Sequence, residues 1–313
     1  MRVDTGPLTW GALAHTWHFD PTAAVVIVVA AGAYGWCYRA ARRESGRAVG
    51  PGSAVCFGVG VGLWIVATMS AVGAYAYVLF WVRALQVLLL LYVVSFFVAL
   101  GKPVTVLRLG LGAAGRRRVD RLLDTRFARV LAHPLTTSLV MLGVPWLLYL
   151  TPWYTASLRN EWVGAPTRIL LVLAGFGYFY ARLQADPVPR RYPQTISLLI
   201  TVAEALGDGV LGLVLWQGAL IGSSYYAELH RSWGPDPRLD QTIGAGVLWI
   251  LGDLVGWPLV LLLMRALSRD DKAHAVEVDA QLDAAREDES GDVAPSGLWW
   301  ENDPQLRERF GRG

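Results

Sequence analysis

Charge is scarce in this chain. Only 17% of its 313 residues are Asp, Glu, Lys or Arg, while 54% are hydrophobic. An ordinary soluble domain carries about a quarter charged residues, so a soluble globular class is excluded. Lysine is nearly missing: Lys102 and Lys272 are the only ones. Arginine in its place, with abundant Gly and Ala, suggests a GC-rich bacterial genome. With only Cys37 and Cys56, no disulfide scaffold can be built. They sit at the cytoplasmic ends of the first two apolar runs and read as packing residues. A thiolate pair suits soft Cu(I), but no second Cys or Met cluster supports that reading. The sequence has no G-x-x-x-x-G-K-[ST] loop, no G-x-S-x-G and no H-E-x-x-H. The last apolar run has no lysine for a retinal Schiff base. No catalytic set is recognisable, which argues against an enzyme, and nothing points to nucleic acid.

Present instead are seven apolar runs, at about 21–40, 53–72, 78–100, 135–152, 166–185, 195–221 and 242–267. A hydrocarbon core about 30 Å thick needs roughly 20 helical residues to span it. Backbone there must bond to itself, so each run is expected to be helical. The expected fold is all-α: a polytopic membrane protein with seven transmembrane helices. Residues 1–20 read as an outer segment, 21–267 as the bundle, and 268–313 as an acidic cytoplasmic tail with a short helix. The stretch before Pro21 lacks the basic region and cleavage pattern of a secretory signal.

The net charge is only +3, but the arginines are placed asymmetrically. Arg39, Arg42, Arg43 and Arg47 follow the first run. Arg108, Arg116, Arg117, Arg118, Arg121, Arg126 and Arg129 follow the third; Arg182, Arg190 and Arg191 close the fifth; Arg265 and Arg269 close the seventh. The intervening loops carry few cations. The positive-inside rule then puts the N-terminus outside and the tail in the cytoplasm of a multi-pass plasma (inner) membrane protein. The basic loop 101–134 repeats apolar residues at Val119, Leu122, Leu123, Phe127, Val130 and Leu131. That spacing suits an amphipathic helix on anionic lipid, or a solvated connecting helix. In the tail, Trp299 and Trp300 read as a short interaction motif or as lipid-touching residues.

Ionisable residues inside spans are costly and face the bundle interior. Here they are Arg83, Arg168, Glu204, Asp208 and Asp253. Glu204 and Asp208 are four apart and share a helix face. Two cations and three acids at overlapping depths suggest one buried ionic cluster. Three readings stay open: a structural cluster that sets helix register, a proton or ion pathway, and a remodelled ligand or metal site. His15, His18 and His230 lie outside; they could converge on a metal, with Met69, or be exposed or capping residues.

Several segments together resemble the CtaG family, membrane assembly factors of caa3-type cytochrome c oxidase. They are Trp17-His18-Phe19-Asp20-Pro21, Gly101-Lys102-Pro103-Val104-Thr105, His133-Pro134-Leu135, Tyr154 to Asn160, and Asp240-Gln241 followed by Gly246, Trp249, Gly252 and Asp253. The likeness covers roughly residues 15–268, and the order and spacing make it specific. The resemblance implies a factor that helps provide copper to the oxidase or assemble its copper centres, with oxidase subunits or other assembly factors as partners. It also implies two His-x-x-x-His patterns. The stretches that align with them are Arg83-Ala84-Leu85-Gln86-Val87 and Gly164-Ala165-Pro166-Thr167-Arg168. All four histidines are gone, and an arginine does not ligate metal. The expectation is a divergent member with a degenerate metal site, whose arginines neutralise Glu204, Asp208 or Asp253. No cofactor is certain, and copper is the candidate. The alternative class is a copper or proton/ion transporter using Glu204, Asp208 and Asp253.

Overall fold

Proline opens many of the long helices, at the first helical position where its missing N–H costs nothing. The computed structural model describes residues 6–45, 50–184, 186–187 and 194–252, with isolated positions at 254, 261, 264, 268 and 279. The chain divides into two units, Met1–Met264 and Arg265–Gly313; the elements below belong to the first. Among the described residues all regular structure is helical. The long elements are α1 Pro21–Ser45, α2 Pro51–Met69, α3 Phe80–Leu100, α4 Pro134–Leu150, α5 Glu161–Leu183, α6 Gln194–Gln217 and α7 Pro237–Gly246, the last continuing as a π-helical turn over Val247–Leu251.

Four of these, α1, α2, α3 and α5, are long and apolar enough to cross a membrane by themselves. A fifth span appears if α4 is joined to the short helix Trp153–Arg159, which bends away from it by 74°. The break falls at Thr151-Pro152, and Thr151 is extended (φ −125°, ψ 168°). The residue before a proline is pushed out of the helical region, so one apolar run becomes a bent pair. α6 is 24 residues long, and most of the seventh run beyond Gly252 lies outside the described residues.

α3 is the central helix, packed against α2, α5 and α7, while α1 lies mainly on the short helix Pro103–Gly110. The α3–α5 crossing is very close: a Cβ on Gly175 would stand 1.8 Å from the Leu91 carbonyl oxygen. Only glycine fits there. The same stretch of α3 widens into a π-helix over Leu89–Val94. The Ser95 hydroxyl reaches back to the Leu90 carbonyl (2.8 Å) and across to Val172 of α5 (2.9 Å), so the widened turn is tied to its neighbour. Gly110 plays the same role against α1, where a Cβ would lie 2.3 Å from the Cys37 carbonyl oxygen. Cys37 is buried in that crossing.

The part of the basic loop that carries the apolar repeat is helical, but as two pieces, Gly112–Leu123 and Arg126–Leu131, where the spacing predicts one. Thr125 breaks it: its hydroxyl accepts from the Ala128 N–H (3.1 Å) and starts the second helix. Leu122, Phe127, Val130 and Leu131 are exposed.

Candidate functional site

The polar residues of the bundle gather in separate layers. The first joins the start of α5 to the chain before α1. Asn160 caps α5 by accepting from the Trp162 N–H (2.9 Å). Two turns on, Arg168 is buried. Its Nη2 pairs with Asp20 Oδ2 at 2.8 Å and with Glu161, and its Nη1 donates to the Tyr77 hydroxyl at 2.8 Å. Tyr77 donates to the other Glu161 oxygen (3.2 Å). Asp20 also accepts from the Ala23 N–H (2.9 Å), so one carboxylate both caps α1 and holds Arg168. His18 packs against Gly73 nearby, its backbone N–H on the Met69 carbonyl (2.9 Å). Burial pushes the His18 imidazole below its ordinary value; Asp20 pulls it up and Arg168 pushes it down again.

Arg83 of α3 is fully buried beside this layer. Its Nη1 donates to Gln86 Oε1 (2.7 Å) and its Nη2 to the Ser157 hydroxyl (3.1 Å). Gln86 is itself held by the Ala67 carbonyl (2.8 Å) and Ser157 by the Tyr154 carbonyl (2.7 Å). Tyr77, Tyr149, Tyr154, Tyr225 and Tyr226 lie within electrostatic reach of the guanidinium. Among the described residues no carboxylate pairs with it. Among the described residues its Nε and the Tyr149 hydroxyl find no hydrogen-bond partner.

The last layer lies towards the other end of α5. Arg182, fully buried, pairs with Glu204 of α6 at 2.8 Å and donates to the Ser138 hydroxyl of α4 at 2.7 Å. Its guanidinium sits 3.9 Å above the Tyr178 ring, and the Tyr178 hydroxyl donates to the other Glu204 oxygen (2.6 Å). Asp208, one turn on in α6, accepts from the Tyr92 hydroxyl of the π-helical turn.

Among the described residues, Arg83, Arg168, Glu204 and Asp208 therefore do not gather into one cluster. Arg168 takes Asp20 and Glu161, Glu204 takes Arg182, and Arg83 takes neutral partners. The physical reason is adjacency: α5 presents Arg168 to the chain before α1 and Arg182 to α6, two separate depths of one helix. Asp253 lies outside the described residues, as do Trp299 and Trp300. The residues that sequence reasoning missed, Asp20, Glu161 and Arg182, stand at span borders and read as loop charges. Asp20 directly before Pro21 was a visible signal of an N-cap.

His15 and His230 are exposed, and the His230 ring bonds its own Glu228 carbonyl (2.9 Å). His18 is half-buried under Gly73. Among the described residues no group of three or more His, Cys, Asp or Glu is placed to hold a metal ion.

The family model described as cytochrome c oxidase caa3 assembly factor (Caa3_CtaG) matches residues 32–270. The chain belongs to this family. It is also similar, at 26% identity over 288 residues, to the uncharacterized proteins Mb0105 of Mycobacterium bovis and MT0111 of Mycobacterium tuberculosis, covering 89% of this chain. A third relative is the uncharacterized protein ML1998 of Mycobacterium leprae, 26% identical over 87% of the chain. The alignments take in only 42–43% of those relatives, so the chain spans under half of their length. No solved structure matches it.

Several of the segments that carry the family likeness fall on helix ends. Asp240 accepts from the Phe80 and Trp81 N–H groups (3.2 and 2.9 Å), capping α3 from 160 residues away. The neighbouring Gln241 takes the Ile221 N–H (2.7 Å) and donates to the Leu215 and Ala219 carbonyls (2.7 and 3.0 Å), closing the end of α6. His133 Nδ1 accepts from the Leu135 N–H (3.2 Å) to start α4. After Gly101-Lys102, the helix Pro103–Gly110 takes its cap from Asp186, which accepts from the Val104 and Thr105 N–H groups (2.9 and 2.8 Å). Burial pushes the Asp186 carboxyl up, and those Thr105 and Val104 bonds oppose it. A helix end inside a membrane bundle has no water to satisfy it, so such caps hold the architecture together.

Proposed function

We propose that this chain is a divergent family member that serves cytochrome c oxidase assembly through protein contacts, with a degenerate metal site. In this reading it spans the plasma membrane seven times within residues 21–267, with its N-terminus outside and residues 268–313 as a cytoplasmic tail. Its partners are oxidase subunits or other assembly factors.

One observation carries the degenerate-site reading. A Cβ at Gly164 would stand 2.6 Å from the Ser157 carbonyl oxygen and 3.3 Å from Arg168 Nη1. The position where the family likeness implies a histidine is closed to any side chain by backbone. The other aligned positions hold Arg83, Val87 and Arg168, none of which can ligate a cation. The residues present at these positions do not fit copper. Glu204, the leading acid of the transport alternative, is engaged by Arg182 and Tyr178, which favours a structural role.

The test is deletion of the coding sequence in its host. The expected result is lower oxidase activity and haem a absorbance that added copper does not restore. Full rescue by copper, or stoichiometric Cu(I) binding by the purified chain, would overturn the degenerate-site reading. An unchanged oxidase with altered ion flux would favour transport.

A further inference from the structure

The helices Gly112–Leu123 and Arg126–Leu131 stand apart from the polar layers of the bundle. No residue of either is buried. Phe127, Val130 and Leu131 follow one another at i, i+3 and i+4, so they share one helix face. All three are exposed, Phe127 by 75%, and so is Leu122 just before the break. An open apolar face of this kind marks a contact with another molecule or with lipid. Six arginines are interleaved with it, Arg116, Arg117, Arg118, Arg121, Arg126 and Arg129, against two acids, Asp120 and Asp124. Asp120 is already taken: Arg108 of the preceding helix reaches it through Nε (2.6 Å) and Nη2 (3.2 Å). Among the described residues none of the six arginines pairs with a carboxylate. The surface is therefore both apolar and cationic.

Its place in the chain says what covers it. Three residues after Leu131 the chain enters α4 at Pro134, and the first turns of α4 expose Leu135 and Leu139. With the short helix after it, α4 is apolar enough to be a membrane span. Three residues of extended chain reach at most roughly 10 Å, and one headgroup layer is roughly 5–8 Å deep. The Phe127 face is thus tethered within about one headgroup layer of acyl chains. A lipid surface supplies both halves of the complement: acyl chains for Phe127, Val130 and Leu131, and phosphates for the guanidinium forks.

We propose that Gly112–Leu123 and Arg126–Leu131 lie on the leaflet where α4 begins and bind its anionic phospholipids. In the orientation proposed above this is the cytoplasmic leaflet, where polybasic segments meet anionic lipid. The inference requires the membrane, but neither that orientation nor a role in oxidase assembly.

The full chain is placed in nanodiscs of phosphatidylcholine alone, or of equimolar phosphatidylcholine and phosphatidylglycerol, and its hydrogen–deuterium exchange is followed by mass spectrometry. A symmetric disc shows both faces the same lipid, so the result does not depend on which face is cytoplasmic. Peptides within 112–131 should exchange about tenfold more slowly in the anionic discs, while α4 exchanges equally in both. Arg117→Gln with Arg121→Gln should abolish the difference between the discs. Phe127→Ser should abolish the extra protection of Arg126–Leu131. All three side chains are exposed, so the bundle is expected to fold as before. Equal exchange of the unaltered chain in the two discs overturns the proposal, as does protection that survives both variants. Photoreactive p-benzoylphenylalanine in place of Phe127, irradiated in native membranes, should give lipid adducts. Adducts to protein alone would assign the face to a protein partner and overturn the proposal too.

Discussion

Arg182 and Arg83 are both fully buried in the same bundle, yet they are stabilised in different ways. Arg182 has a carboxylate at 2.8 Å, a hydroxyl at 2.7 Å and an aromatic face at 3.9 Å. Arg83 has an amide, a hydroxyl and a surround of tyrosines, with no carboxylate among the described residues. An ion pair depends steeply on both partners being present, because removing one strands the other in a low dielectric. A cation solvated by neutral dipoles leaves no charge behind when it goes. The two layers should therefore fail differently, and substitutions can separate them.

The largest effect is expected at the paired layer. Glu204→Leu should cost about 3–5 kcal/mol, because Arg182 is left as an unpaired buried charge. Thermal unfolding of the purified protein in detergent measures this. The double change Arg182→Met with Glu204→Leu should recover most of the loss; a double variant as unstable as the single would mean that the pair is not the cause. Next comes Arg168→Gln, at about 2 kcal/mol, the usual scale for a lost charged hydrogen bond. Adding Asp20→Asn should soften it, since Asn keeps the α1 cap without the charge.

Arg83→Met should be the mildest of the arginine changes, about 1 kcal/mol or less, because it exchanges a costly buried charge for apolar volume. If it destabilises as much as Glu204→Leu, the contrast between the layers is wrong. The smallest effect is a pH slope. His18 resists protonation in the folded state, so its contribution is complete above its ordinary value of 6.5 and declines as pH falls below it. His18→Gln should flatten that slope in unfolding midpoints collected between neutral and mildly acidic pH.

Hydropathy located the helices well, because it is a local property. The runs at 21–40, 53–72 and 78–100 lie on Pro21–Ser45, Pro51–Met69 and Phe80–Leu100. Breaks inside runs were harder to read. Thr151-Pro152 turns one apolar run into a bent pair, and Thr125 divides the basic helix, although each carried a proline or cap signal in plain view. The ionic partners were not legible at all. Arg168 meets Asp20, and Asp240 caps Phe80 and Trp81 across 160 residues, and no spacing rule reaches that far.

From its residue order alone, this protein was committed to helices in an apolar solvent, to an asymmetric distribution of arginine, and to family membership. Those follow from transfer free energies and local motifs, which each segment carries by itself. Which acid faces which arginine, and whether Gly164 has room for a side chain, were decided only when the helices crossed. Electrostatic pairing and steric exclusion act over a few ångströms in space, and chain separation does not specify that distance.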